Sequence, residues 1–337
     1  MTVSVLVPTS LTREAEDKRE ATRKLGYVAR AATVFRVDRV TVFPDPAGEG
    51  KWGAGFVETV LRYAATPPQL RKEVWGKRDE LEYAGVLPPL RVATRTGSGS
   101  DDSGSSRQGI VTEVGADGRV RVNCGLQHPI SLPVPDGMSV RAGERVTVRV
   151  SSRRPVRAKL LDQPLPGFEV DAADLDTALA RDDAGLRVAA SRHGRPLTVG
   201  FLGDLVRESR VDDERRLTVA FGAPERGLPE ILGIDPEAIG VDAGSVGAVS
   251  EPVGDDAGSI DAVSGSIGDD GDIDGDAGSY GDDAASSGDE RNTVGEDDQG
   301  ETGRFDLWLN TVPAQGSEVV RTEEAVFATL APLSLTE

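Results

Sequence analysis

Two runs rich in β-branched apolar residues, VSVLV at 3–7 and VDRVTVF at 37–43, have the density expected of strands buried on both faces. The stretch between them, 12–33, is charged and reads as a helix, with Thr12 as N-cap and Glu14, Glu16 and Asp17 in its first turn. Strand, helix, strand is the unit of a parallel sheet. A second helical stretch, GFVETVLRYAATPPQLRKEV, is broken at Pro67 and Pro68. Near residue 92 the pattern changes. RQGIVTEVGADGRVRVNCGL alternates polar and apolar residues about Asp117-Gly118, a hairpin signal, and GERVTVRVSS is another alternating strand. These predict a small all-β barrel of OB type inserted into an α/β host. After LPGFEV the host pattern returns, with a helix over 171–181 and strands at 186–191 (LRVAAS) and 216–222 (RLTVAFG). RFDLWLN at 304–310 is the last strand, before a helix opening near Thr322. The expected organisation is a host split into 1–91 and 165–337 around a barrel at 92–164.

Charge changes this picture in two places. The formal net charge is −19, yet residues 242–301 hold 18 acids and one base, Arg291, leaving 39 acids and 37 bases elsewhere. That segment is rich in Gly, Ser, Asp and Ala and cannot bury enough apolar surface to offset its ordering entropy. Residues 236–302 are therefore expected to be a disordered acidic insertion in the second host part, and TGSGSDDSGSS at 96–106 a shorter linker. Asp270, Asp272, Asp274 and Gly275 imitate the start of an EF-hand loop, but the twelfth position is Gly281 rather than a bidentate acid. The other place is 107–159, where ten bases face four acids. This local excess points to a polyanion such as nucleic acid; a solvated face using arginine in place of lysine gives the same count. Arg119, Arg121, Arg145, Arg149, Arg153, Arg154 and Arg157 are the candidate RNA contacts. Only six lysines occur in the chain, and abundant arginine with an acidic insertion suggests a salt-loving organism.

A single cysteine, Cys124, leaves no disulfide framework or cysteine-cluster metal site, and no eighteen-residue apolar run or signal-like N-terminus is present. A cytoplasmic protein with no metal and no membrane association is expected. GEGKWG at 48–53 matches G-x-G-x-x-G, but PDPA separates it from the preceding strand, so it reads as a surface loop rather than a dinucleotide fingerprint. Ser191 and His193 lack a G-x-S-x-G elbow, and His193 alone reads as a loop residue. Glu323 and Glu324 suit the first turn of a helix that Thr322 caps. Three strand-end loops remain: 190–194, 222–227 and 310–321. Ligands of parallel sheets bind beyond the carboxyl ends of strands, and these loops are rich in small residues with no Gly-Lys-Ser/Thr phosphate cradle. They suit a ligand held through backbone hydrogen bonds, such as a nucleoside of modest charge.

FGAPERGLPEI followed by LNTVPAQGSEVVRTEEAVFATLA resembles the cofactor-binding end of the SPOUT RNA methyltransferases. VPTSLTREAEDKREATRKLGYVARAATVFRVDRVTVF, YAATPPQLRKEV and LEYAGVLPPL resemble the archaeal and eukaryotic branch that carries an OB-like insert. The resemblance implies a SPOUT-type α/β fold with a C-terminal trefoil knot, a homodimer, and S-adenosyl-L-methionine (S-adenosylmethionine) bound in the knot. It places Ala190, Ser191, Gly222, Pro224, Gly227, Leu309, Asn310, Val312, Pro313, Gly316, Val319 and Thr322 around that cofactor. The implied activity is methylation of ribosomal or transfer RNA, with uridine N3 of ribosomal RNA as the suggested target. Arg13, Arg192 and Arg226 are candidates for substrate or transition-state charge, and Glu225 for a base. The alternative is an RNA-binding assembly factor that keeps the fold without catalysis.

Overall fold

The structure is a computed structural model describing residues 2–48, 51–53, 55–92, 105–116, 118–211, 214–242 and 304–335. The loop residue Asp117, nearly all of the linker and most of the acidic insertion, including its calcium-like acids, lie outside the described residues.

The host begins with β1 (Thr2–Pro8), α1 (Lys18–Val34), β2 (Arg39–Phe43), α2 (Phe56–Ala65) and the single turn α3 (Arg71–Val74). The barrel segment supplies β3 (Ser105–Val114), β4 (Arg119–Asn123), β5 (Ile130–Pro133), β6 (Arg145–Arg153) and β7 (Val156–Leu161). The host resumes with β8 (Glu169–Ala172), α4 (Leu175–Leu179), β9 (Leu186–Pro196), α5 (Val199–Glu208), β10 (Arg210–Val211) and β11 (Glu214–Phe221). It ends with α6 (Leu228–Leu232), α7 (Pro236–Asp242), β12 (Leu307–Asn310) and α8 (Thr322–Leu333).

Six host strands are parallel in the order β12-β9-β11-β1-β2-β8, with β10 antiparallel to β11. Alternation along β1 shows why both faces must be covered. Val3, Val5 and Val7 join a core with Leu25 and Val28 of α1, Val60 of α2, Leu205 of α5 and Leu330 of α8. Leu6 points the other way, into a core with Leu179 of α4, Leu228 of α6, Ile239 of α7 and Trp308 of β12. A parallel sheet covered on both faces in this way reads as near-continuous apolar runs.

Local details depart from the sequence reading. α1 starts at Lys18, not residue 12: Asp17 is its N-cap and accepts from Glu20 N–H, while 9–14 form turns whose Ser10 and Thr12 are buried. The stretch expected to be helical from residue 171 opens as β8, which pairs with β2 through Val170 and Val40, and only Leu175–Leu179 is helical.

The barrel strands form a second, antiparallel sheet in the order β5-β4-β3-β6-β7, its edge strands β5 and β7 lying near each other. The hairpin predicted at 117–118 joins β3 to β4, with Gly118 at φ 71°. Val120, Val122, Val146, Val148, Val150, Leu160 and Cys124 fill its interior. Among the described residues no helix is long and apolar enough to cross a membrane.

Candidate functional site

A cleft opens at the carboxyl ends of β11 and β12 and against the middle of β9, and each wall has its own origin. The first is a break in strand register. β9 pairs with β12 at Val188–Leu307 and Ala189–Trp308, then resumes at Arg195–Leu309 and Pro196–Asn310. Ala190–Gly194 therefore have no ladder partner on β12, so the predicted loop is a bulge inside a longer strand. Gly194 is required there: a Cβ on it would lie 2.5 Å from Leu309 N and from Trp308 C. Asn310 pins the bulge by donating from Nδ2 to Arg192 O (3.0 Å), while its Oδ1 accepts from Val312 N–H (3.0 Å).

The second wall is a tight turn after β11. Ala223 N–H donates to Arg226 O at 2.8 Å and Arg226 N–H to Ala223 O at 3.1 Å. Glu225 takes φ 58°, in the left-handed region that a type II turn requires at its third residue and that glycine usually supplies. Gly222 abuts Gly227 so closely that a Cβ would fall 2.7 Å from its Cα.

The third wall is the 311–321 loop leading into α8. Thr322 is the first residue of α8 and not its cap, which is Arg321. Its hydroxyl instead donates to Gly222 O at 2.8 Å, tying α8 to the second wall. Glu324 supplies local capping by accepting from Arg321 N–H at 3.0 Å, and Thr311 meets Thr329 hydroxyl to hydroxyl at 2.8 Å.

Of the residues expected around a cofactor, Ala190, Ser191, Gly222, Gly227, Leu309, Asn310, Val312, Val319 and Thr322 line this cleft. Pro224 is buried within the turn, and Pro313 and Gly316 are exposed; none of the three is in the lining. Arg192, Glu225 and Arg226 line it, whereas Arg13 is exposed on the turn after β1, outside the lining. His193, set aside above as a loop residue, also lines the cleft, and its Nε2 accepts from Arg192 Nε at 3.0 Å. Glu230, Gln315 and Glu318 complete the rim. Glu318 and Gln315 fall inside a loop the sequence marked, while nothing in the sequence singled out Glu230.

Electrostatics is most structured behind the turn. The Asp45 hydrogen bonds hold the Arg226 guanidinium more firmly protonated than usual, outweighing the opposing effect of burial. Beside α8, buried Lys24 pairs with Glu14 and Glu20, and Arg321 reaches Glu14 at 3.6 Å. Burial pushes the Glu323 carboxyl up from its ordinary value, although Lys24 nearby opposes this.

The candidate RNA arginines lie on two arms of the barrel sheet. On β4, Arg119 donates to Ser131 Oγ at 3.0 Å and Arg121 pairs with Glu113 at 3.5 Å. On the β6–β7 hairpin, Arg154 and Arg157 are exposed, and Arg149 is half-buried opposite Lys159. Arg145 is half-buried beside Glu169, and burial lowers its guanidinium below the ordinary value. The side chain of Arg153 lies outside the described residues.

The lining can do three things chemically. Small apolar residues (Ala190, Leu309, Val319, Ala325) offer a surface for a flat ring, and close-packed glycines expose backbone polar groups. The rim carries two arginines, Arg192 and Arg226, and three acids, Glu225, Glu230 and Glu318. Compared with known proteins, the chain matches the family "Putative RNA methyltransferase" over residues 2–333. It is 63% identical to an uncharacterized protein of Haloarcula marismortui and 60% identical to one of Halobacterium salinarum, each over the full length of both chains. It is 25% identical to the human 28S rRNA (uridine-N(3))-methyltransferase, over 98% of this chain and 77% of that protein.

Proposed function

We propose that this chain, which belongs to the RNA methyltransferase family, transfers a methyl group from S-adenosylmethionine to RNA, with uridine N3 of ribosomal RNA as the acceptor. The observation that carries this is the convergence of the bulge, the Ala223–Arg226 turn and the 311–321 loop into one cleft at the carboxyl ends of parallel strands. The suggested acceptor follows what the human relative is named for.

The lining fits S-adenosylmethionine. Gly222 and Gly227 line it with backbone, the small apolar side chains of Ala190, Val319 and Ala325 suit an adenine, and Glu225, Glu230 and Glu318 suit cationic and hydroxyl groups. When bound, the cofactor supplies an electrophilic methyl on a sulfonium leaving group, so the protein's own contribution is positioning and charge. In this reading Arg192 and Arg226 face the acceptor's negative charge, Glu225 is the candidate base, and Arg13 guides the RNA from the same end of the sheet. The barrel grips the RNA through Arg119, Arg121, Arg149, Arg154 and Arg157, and the active unit is a SPOUT-type knotted homodimer.

Calorimetry at high salt tests the cofactor, and modification mapping of ribosomal RNA from a deletion strain tests the acceptor. Folded protein that takes up no S-adenosylmethionine is a non-catalytic RNA-binding factor instead. Deleting 105–161 is expected to weaken RNA binding and spare cofactor affinity; unchanged RNA affinity refutes the role given to the barrel.

A further inference from the structure

Asp45 lies just beyond the carboxyl end of β2, and its side chain is only 1% exposed. Its carboxylate accepts from Ser10 Oγ at 2.6 Å and from Arg226 Nε at 2.9 Å and Nη2 at 3.1 Å. Its own N–H donates to Thr9 Oγ1 at 2.9 Å, so the turn after β1 holds it from a second side. From a third side Gly48 closes in: its N–H donates to Asp45 O at 3.0 Å. A Cβ on Gly48 would fall 2.1 Å from Asp45 Oδ2 and 3.0 Å from Arg226 Cδ. The first glycine of GEGKWG, which read as a surface loop, is thus buried where the chain must pass against this ion pair.

As a staple alone the arrangement gains little, since desolvating an ion pair offsets most of its attraction. What it does fix is direction. A guanidinium is a planar fork, and Asp45 occupies its Nε–Nη2 edge. Arg226 lines the cleft with the Glu230 carboxylate acting on its charge, and its remaining N–H groups make no hydrogen bond to protein among the described residues. They form a second edge suited to a carbonyl oxygen carrying negative charge.

We propose that Asp45 is a positioning residue for methyl transfer: it orients Arg226 so that the free edge meets the anion forming on the acceptor base. This rests on the reading of the chain as a uridine-N3 methyltransferase. The N3 proton passes by way of Glu225, the candidate base, to solvent, leaving negative charge shared between N3 and the flanking carbonyl oxygens. The N3 lone pair then forms the bond to the methyl carbon as the carbon–sulfur bond breaks, its electron pair staying on sulfur. A guanidinium held at a carbonyl oxygen favours the anion and so lowers the pH at which it forms.

The test compares wild type, Asp45→Asn and Arg226→Lys, following labelled methyl transfer from saturating S-adenosylmethionine to transcribed large-subunit ribosomal RNA between pH 6 and 10. Cofactor affinity and melting temperature are measured alongside. Asp45→Asn is expected to lower the saturated rate at pH 7 about tenfold or more, with cofactor affinity within about twofold, and the deficit should shrink as pH rises. Arg226→Lys, which keeps the charge but loses the fork, should shift the rising limb the same way; it supplies the result if Asp45→Asn fails to fold. A deficit equal at every pH and matched by lost thermal stability makes Asp45 a staple only. Weaker cofactor binding with an unchanged saturated rate assigns the free edge to the cofactor and overturns the proposal. A wild-type protein that methylates no uridine overturns the reading beneath it as well.

Discussion

Gly194→Ala probes the geometry on which the cleft depends. The added Cβ would sit 2.5 Å from Leu309 N and Trp308 C and 2.7 Å from Trp308 O. Comfortable contact needs about 3.5 Å, so β9 and β12 must separate by roughly 1 Å at that point. All three neighbours are backbone atoms, and no side chain can swing aside. The β12 backbone cannot retreat freely, because Leu309 is fully buried and Trp308 nearly so. Overpacking of this kind costs about 1–3 kcal/mol. Loosening the resumed Arg195–Leu309 pairing adds about 1 kcal/mol for each hydrogen bond lost. Urea unfolding should therefore show Gly194→Ala about 2–4 kcal/mol less stable. Calorimetry should show weaker S-adenosylmethionine binding, because Asn310 ties the bulge to the displaced strand. Gly203→Ala is the control: it lies in α5 with nothing within 4 Å of the new Cβ, and should be neutral or gain up to about 1 kcal/mol. A Gly194→Ala protein within about 0.5 kcal/mol of wild type, binding cofactor equally well, would refute the account of the bulge.

Thr322→Val keeps the shape of a buried side chain but leaves Gly222 O without its partner; a loss of about 1–2 kcal/mol and weaker cofactor binding are expected from unfolding and calorimetry. Burial raises the folded-state pKa of Glu323, so its contribution is neutral at acid pH, where the carboxyl is protonated folded or unfolded, and turns unfavourable as pH rises through the carboxyl range. Glu323→Gln should match wild type in melting temperature at acid pH and exceed it near neutrality. For Asp306 burial raises the carboxyl, but hydrogen bonds and charge from Arg187 prevail and hold it below its ordinary value. That contribution is present above the ordinary carboxyl pKa and lost on acidification through the lowered folded value, so Asp306→Asn should destabilise at neutral pH and converge with wild type in acid.

The parts of the fold legible in the sequence were those set by local pattern. β1, β2 and β11 are dense apolar runs, and the separate antiparallel sheet follows from alternation about Asp117-Gly118. All three cleft walls fall on segments picked out by small residues at strand ends. Detail failed where a distant partner overrode a local rule. Thr12 and its acids look like a helix start, yet Thr9 and Ser10 beside it are engaged by Asp45, and the chain turns until Asp17 before α1 can begin. Thr322 has the makings of a cap, but its hydroxyl is claimed by a carbonyl one hundred residues away. The bulge in β9 is a matter of register with β12, a strand more than a hundred residues later, and no periodicity within 186–196 reports it. His193 reached the cleft for the same reason, carried there by a bulge the sequence shows only as a loop.

Every residue lining the cleft lies between Ala190 and Ala325, and one wall comes from β12 and the approach to α8. Among the described residues, β12 is an edge strand that pairs with β9 alone. On the ribosome, where segments emerge in order, the barrel and five of the six parallel strands precede this last piece. A chain whose synthesis stops before residue 304 would have the RNA-gripping module of the proposed function but only part of a cofactor site. Under the proposed function, a copy stopped there would hold RNA without being able to methylate it.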